Sequence, residues 1–126
     1  MRCLAATFVA MMIWMQPASA ADLDVATKTK LQSVMIAFLD DGSDASGAFK
    51  IIDRETGDTR SIFPGALHPK IVPFGGDYVL CLEMFDPNGG RHDADFVLRQ
   101  GPMGWQVVDI LFNQRTLLKK ALAKVE

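Results

Sequence analysis

The stretch DYVLCLEMFDPNGGRHDADFVLRQGPMGWQVVDILF, residues 77–112, decides the fold. It holds three runs of apolar and β-forming residues, at 77–86, 91–99 and 104–112, with clusters of turn residues between them. Short β-forming runs bounded by Gly, Pro, Asn and Asp are typical of antiparallel hairpins. The stretch therefore predicts the centre of an antiparallel β-meander.

The first turn of this stretch predicts how two of the strands face each other. Asn88-Gly89 is the preferred pair at the tip of a type I′ hairpin turn, and such a turn would place Glu83 and His92 on one face of the sheet. The facing pairs would be Asp86 with Arg91, Phe85 with His92, Glu83 with Ala94, and Cys81 with Phe96. Acids of the second strand, such as Asp95, would then lie on the opposite face, towards solvent.

The second turn leaves the register of the third strand open. Its residues, 100–104, are Gln-Gly-Pro-Met-Gly and do not specify one turn type. One register would add Trp105, Val107, Asp109 and Leu111 to the face that carries His92. A slip by one residue would move all four to the other face.

A helix is predicted upstream of the meander. Within residues 24–41, five apolar residues recur at the spacing of one helix face, namely Leu31, Val34, Met35, Phe38 and Leu39. Asp22 or Asp24 can cap its first turn, and Gly42 can end it in the left-handed conformation.

The rest of the chain completes an α+β fold. After a polar loop at 41–47 we expect strands near 48–53, 59–63 and 70–74, with the Pro- and Gly-containing segment 64–69 as a loop. Apolar residues at helical spacing beyond Asn113, the expected cap, predict a short C-terminal helix. The predicted architecture is an N-terminal helix packed on a curved antiparallel β-meander, followed by this short helix.

Residues 1–20 have the features of a cleavable signal peptide. Arg2 gives a positive first segment, residues 4–15 form an apolar run too short to span a bilayer, and residues 18–20, Ala-Ser-Ala, fit a signal peptidase. We therefore expect export to the periplasm or outside the cell. The exported part would be a single domain, residues 21–126, without a membrane span.

Charge and cysteine content exclude several classes of protein. The formal net charge is −2, and loss of Arg2 with the signal peptide would make it −3, so we expect no nucleic-acid partner. Only Cys81 lies outside the predicted signal peptide, which excludes an intramolecular disulfide in the exported domain. Its position between Leu80 and Leu82 indicates a buried thiol and not a nucleophile.

Three polar residues within apolar strands are candidates for catalysis, namely His92, Asp109 and Glu83. Burying a charged group is costly unless it has a partner or a wet cavity. A histidine beside carboxylates can act as a general base. The alternative is that His92 caps the hairpin end at the surface, and that the two acids meet solvent or a backbone N–H.

The sequence predicts no metal site and no cofactor site. Residues 86–95 begin like a calcium-binding EF-hand loop, but the sixth and twelfth positions are Arg91 and Val97 instead of Gly and Glu. His68 has no second paired ligand near it in sequence, which argues against zinc. The sequence also lacks a Gly-rich phosphate loop, a G-x-S-x-G motif and a Cys-x-x-Cys motif.

Two short segments resemble known families. Residues 94–99, ADFVLR, and 104–110, GWQVVDI, resemble the final hairpin of the cystatin-like α+β folds, especially the nuclear transport factor 2-like (SnoaL-type) superfamily. The second segment is also similar to a strand of periplasmic phospholipid-binding toluene-tolerance proteins. The resemblance implies a cone-shaped sheet in which an Asp/His pair, here Asp109 and His92, does acid/base work. The chain departs from it in having one helix before the sheet where that superfamily has several.

Three functions follow as hypotheses. The first is a non-catalytic accessory or ligand-binding domain, which binds a small apolar ligand or an envelope protein and can form a homodimer through its apolar sheet faces. The second is a small isomerase or hydrolyase of SnoaL type that uses His92 with Asp109 or Glu83. The third is a cystatin-like partner-binding protein that acts through the loops at 64–69 and 86–91.

Overall fold

The computed structural model describes residues 23–125 and confirms the α+β fold class. The elements in chain order are α1 (Val25–Gly42), β1 (Phe49–Ile52), β2 (Thr59–Phe74), β3 (Asp77–Phe85), β4 (Arg91–Gly101), β5 (Gly104–Phe112) and α2 (Arg115–Val125). The strands form one antiparallel sheet in the order β1-β2-β3-β4-β5, which is a meander. The predicted signal peptide at residues 1–20 lies outside the described residues.

Helix α1 packs its predicted apolar face on one side of the sheet. Leu31, Met35 and Leu39 are buried, and Val34 and Phe38 pack partly buried against the same core. The strands contribute the remaining buried residues of this core, which include Leu80, Leu82, Met84, Phe96 and Leu98. Full burial of one such side chain contributes about 1.5–3 kcal/mol, so this α1–sheet core is the main source of stability.

The two ends of α1 differ in how well they were predicted. Asp24 caps the first turn, because its Oδ1 accepts a hydrogen bond from the backbone N–H of Thr27 at 2.6 Å. The predicted left-handed ending at Gly42 is wrong, since Gly42 has no positive φ. Glycine is needed there because a Cβ would overlap the ring of Phe49, where β1 crosses the end of the helix.

Helix α2 covers part of the opposite side of the sheet. Its residues Leu118 and Leu122 pack against a second, smaller core that contains Val79, Val97 and Leu111. Neither helix in the part of the chain that the structure describes is long and apolar enough to cross a membrane.

The prediction of separate strands at 59–63 and 70–74 is wrong, because β2 runs unbroken from Thr59 to Phe74. Its pairing with β3 shifts register twice, between Pro64 and Leu67 and again between Leu67 and Ile71. Such irregularities let a strand pass through prolines, which cannot donate a ladder hydrogen bond. The segment 64–69 is therefore strand and not the loop that the partner-binding hypothesis requires.

The predicted register of the β3–β4 hairpin is wrong by one residue. Phe85 faces Arg91 and Cys81 faces Asp95. The turn is a three-residue loop in which Asp86 O accepts from Gly89 N and Asp86 N donates to Gly90 O, both at 2.9 Å. Gly89 has φ +83°, as at the end of a type I turn followed by a bulge.

Pro87 explains why the chain forms a type I turn with a bulge here instead of a type I′ turn. A type I′ turn whose first central residue is Asn88 would place Pro87 just before it, whereas Pro87 with its fixed negative φ fits the first central position of a type I turn. The shift by one residue exchanges the faces of β4. Asp95, expected to meet solvent, is therefore buried at 1% exposure.

Candidate functional site

His92 lies near the start of β4, and hydrogen bonds occupy both nitrogens of its ring. Nε2 lies 2.9 Å from Oδ2 of Asp86, and Nδ1 lies 2.8 Å from Nδ2 of Asn113. Since the amide nitrogen can only donate, Nδ1 accepts and the neutral ring donates from Nε2. These bonds tie the β3–β4 turn to the end of β5. They also leave neither ring nitrogen free to act as a general base.

The side chain of Asn113 does not cap α2, as the sequence predicts, but forms hydrogen bonds to Asp93 and His92 of β4. The side-chain Oδ1 of Asn113 accepts from the backbone N–H of Asp93 at 3.1 Å, while its own N–H donates to Asp93 O at 2.8 Å. Its φ of +52° turns the chain from β5 towards α2. Asn113 is therefore a junction residue that holds β4, β5 and His92 together.

Glu83 and Asp109 form ion pairs in two other places. Oε1 of Glu83 lies 2.6 Å from Nη2 of Arg91, and Oδ1 of Asp109 lies 2.7 Å from Nη2 of Arg54. In the observed register Glu83 and His92 occupy opposite faces of the sheet. The structure thus does not bring the three candidate residues together into one acid/base site.

A buried ion pair under α2 was missed by sequence reasoning. Arg115, the first residue of α2, places Nε 3.1 Å from Oδ2 of Asp95 and Nη2 3.3 Å from Oδ1. The same Nη2 lies 2.8 Å from Sγ of Cys81. Burial, and then the negative charge of Asp95, raise the pKa of Cys81 to about 11, so the thiol is neutral at physiological pH. The cluster anchors α2 to the sheet.

The described residues contain no group of three or more His, Cys, Asp or Glu side chains arranged to hold a metal ion.

An open concavity of the described chain lies between β1 and β5, the two edges of the sheet. The sheet curls so far that residues of both edge strands line a cavity of about 460 Å³, a size that suits small ligands. Phe38 of α1 also lines it, with its ring 5.7 Å from that of Phe49 and 6.3 Å from that of Phe96. We refer to this cavity as the edge cleft.

Most residues that line the edge cleft have apolar side chains, although polar atoms make up nearly half of its surface. Seven of its ten lining residues are apolar, namely Phe38, Phe49, Ile51, Ile52, Val107, Val108 and Ile110. Ile52 is 64% exposed and Val108 is 40% exposed, although both are large aliphatic residues. Exposed apolar side chains that border an apolar concavity are typical of a binding site.

A bulge in β5 shapes one wall of the edge cleft. Val97 faces Asp109, but the next residue, Leu98, faces Val107, so Val108 has no partner on β4. The bulge reverses the alternation of side chains: Trp105 and Val107 pack against the α1-side core before it, and Ile110 does so after it. The expectation that Trp105, Val107, Asp109 and Leu111 share one face is therefore wrong.

Three charged residues accompany the apolar lining, namely Lys50, Arg54 and Asp109. Oδ1 of Asp109 accepts from Arg54 at 2.7 Å and from the backbone N–H of Ile110 at 2.8 Å. The Arg54–Asp109 pair thereby links the β1–β2 connection to β5 across the edge cleft. Among the described residues, no carboxylate lies within ion-pair distance of Lys50.

No family description, curated protein or solved structure matches this chain in comparisons with known proteins. The resemblance to the nuclear transport factor 2-like superfamily therefore stays a prediction. Function has to be argued from the geometry of the chain itself.

One sequence signal points to the edge cleft in retrospect. Within β5, the polar residues Gln106 and Asp109 stand three positions apart, and this odd spacing breaks the two-residue alternation of a regular strand, as a bulge does. The rest of the lining comes from α1 and β1, far away in sequence. Only the curl of the sheet brings these segments together.

Proposed function

We propose that this chain is a small non-catalytic binding domain whose edge cleft takes up an apolar ligand. The single observation that carries this proposal is the open cleft of about 460 Å³, with seven apolar residues in its lining, of which Ile52 and Val108 are exposed. Apolar concavities with a few polar groups are the usual form of small-molecule sites. Export to the periplasm or outside the cell belongs to the same proposal and is supported by residues 1–20.

The contacts of the polar candidates support binding over catalysis. His92 has partners at both ring nitrogens, and Glu83 and Asp109 each bind an arginine. The thiol of Cys81 is held neutral and partly buried under α2. In contrast, the edge cleft presents the exposed apolar side chains of Ile52 and Val108, which a bound ligand would bury.

A titration with Nile red, a neutral apolar dye, tests this proposal. Ile52→Glu places a charge at the mouth of the edge cleft without removing a buried side chain, and we expect dye affinity to fall about tenfold. The matched control is Ile36→Glu, which changes an isoleucine of α1 that is 51% exposed and does not line the cleft.

The expected result is dye binding that Ile36→Glu leaves unchanged and Ile52→Glu weakens, with identical far-ultraviolet circular dichroism for all three proteins. Equal loss in both variants would mean that the dye binds elsewhere. Absence of dye binding to the wild-type protein would contradict the proposal.

A further inference from the structure

We infer that the ligand of the edge cleft is an amphiphile with an acyl chain and a carboxylate head, and that Lys50 binds the carboxylate. This inference rests on the proposed function, because it names the class of ligand that the same cleft takes up. It is argued from the charges at the cleft and from the alternation of side chains along β1.

The first step concerns which charge in the edge cleft is uncompensated. Asp109 already receives two hydrogen bonds, from Arg54 at 2.7 Å and from the backbone N–H of Ile110 at 2.8 Å. Arg54 is in turn the partner of Asp109, so these two charges offset each other. Lys50 is the remaining charge of the lining and forms no ion pair among residues 23–125, although it lies near enough to the exposed carboxylate of Asp44 to help lower the pKa of that group. The lining therefore carries a net charge of one positive unit, which favours an anionic group.

The second step concerns where this cation sits relative to the apolar surface. Side chains alternate along β1, so that Phe49 and Ile51 are buried whereas Lys50 and Ile52 are exposed on the same face. An ammonium group and an apolar side chain are thus neighbours at one edge of the cleft. A ligand with a charged head and an apolar chain can contact both at once, while a purely apolar ligand would contact only the apolar side chain and leave the ammonium to water.

The third step concerns the chemistry of the head group. A lysine ammonium is a compact charge on a flexible stem, and it can donate to a carboxylate without requiring a fixed planar geometry. A cationic head would be repelled by Lys50, and a neutral hydroxyl head could accept a hydrogen bond from the ammonium but would gain no attraction between opposite charges. The carboxylate of an acyl chain therefore fits better than either the amine or the alcohol of the same length.

The test compares three probes with one chain length, dodecanoate, dodecanol and dodecylamine, by isothermal titration calorimetry with the folded protein. The two ionic probes are kept below their critical micelle concentrations, and dodecanol is kept below its solubility limit. We expect dodecanoate to bind about fivefold more tightly than dodecanol, which is the upper range for an exposed ion pair. Dodecylamine should bind more weakly than dodecanol. Raising the salt concentration should remove the advantage of dodecanoate and leave dodecanol unchanged.

Two variants locate the effect. Lys50→Gln should reduce dodecanoate affinity to that of dodecanol without changing dodecanol binding. Lys70→Gln is the matched control, since Lys70 is also an exposed strand lysine but does not line the edge cleft, and it should keep the preference.

The outcomes separate the inference from the proposed function. Equal binding of dodecanoate and dodecanol to the wild-type protein, or a carboxylate preference that persists in Lys50→Gln, would overturn the inference while the apolar cleft still functions. Failure of all three probes to bind would overturn both.

Discussion

The Asp95–Arg115 pair offers the sharpest test of what holds α2 on the sheet. Asp95 is 1% exposed, and its carboxylate accepts two hydrogen bonds from the Arg115 guanidinium at 3.1 and 3.3 Å. Arg115→Met keeps an apolar stem of similar length and removes the charge. The change leaves a buried carboxylate without its arginine, which is a costly state.

The size of the loss follows from the burial of the two partners. Removing one member of a fully buried pair costs about 3–5 kcal/mol. The side chain of Arg115 is 41% exposed, so water can partly replace it, and we reduce the expected loss to about 2–3 kcal/mol. The double variant Asp95→Leu with Arg115→Met removes the orphaned charge too, and it should return to within about 1 kcal/mol of the wild type.

Urea unfolding followed by circular dichroism measures these differences as changes in midpoint at constant slope. Arg91→Met is the control, because its ion pair with Glu83 is more exposed and its loss should cost at most about 1 kcal/mol. A loss below 1 kcal/mol for Arg115→Met would refute the argument. So would a double variant that is no more stable than Arg115→Met alone.

Two further predictions concern the thiol and a tightly packed glycine. Because the pKa of Cys81 is raised to about 11 from an ordinary value of 9.0, iodoacetamide should alkylate it about a hundredfold more slowly at pH 8 in the folded than in the urea-unfolded chain. The alkylation rate of the folded chain should keep rising tenfold per pH unit above pH 9. Mass spectrometry of the Cys81 peptide measures both rates, and equal rates in the folded and unfolded chains would contradict the prediction. Gly65→Ala should cost about 1–3 kcal/mol in urea unfolding, since its Cβ would lie 2.6 Å from a ring atom and 3.0 Å from a backbone oxygen. Gly76→Ala meets nothing within 4 Å and should change stability by less than about 0.5 kcal/mol, so equal effects of the two alanines would contradict the packing argument.

Local patterns were enough to predict the element types of this fold. The helical spacing from Leu31 to Leu39 identified α1 and the face it buries. The turn residues correctly predicted where three strands begin, namely β3 at Asp77, β4 at Arg91 and β5 at Gly104. These features depend on residues that are near each other in sequence, and side-chain periodicity reports them directly.

The register could not be predicted in the same way, because two turn signals compete within five residues. Asn88-Gly89 favours a type I′ turn, whereas Pro87 favours a type I turn with Gly89 in the left-handed position. The turns differ by one residue of loop length, and one residue exchanges the two faces of β4. This difference of one residue decides whether Glu83 and His92 lie on the same face of the sheet. In the observed register they lie on opposite faces.

The edge cleft depends on a feature that opposes the regular pairing of the sheet. Without the bulge at Val108, side chains would alternate through β5, and Val107 and Ile110 could not both face the α1-side core. With the bulge, the consecutive residues 107–110 all line the cleft, and Val108 among them is 40% exposed. Bulges at edge strands commonly stop a sheet from pairing further. Here the bulge accompanies the open gap between the edge strands β1 and β5 that forms the edge cleft.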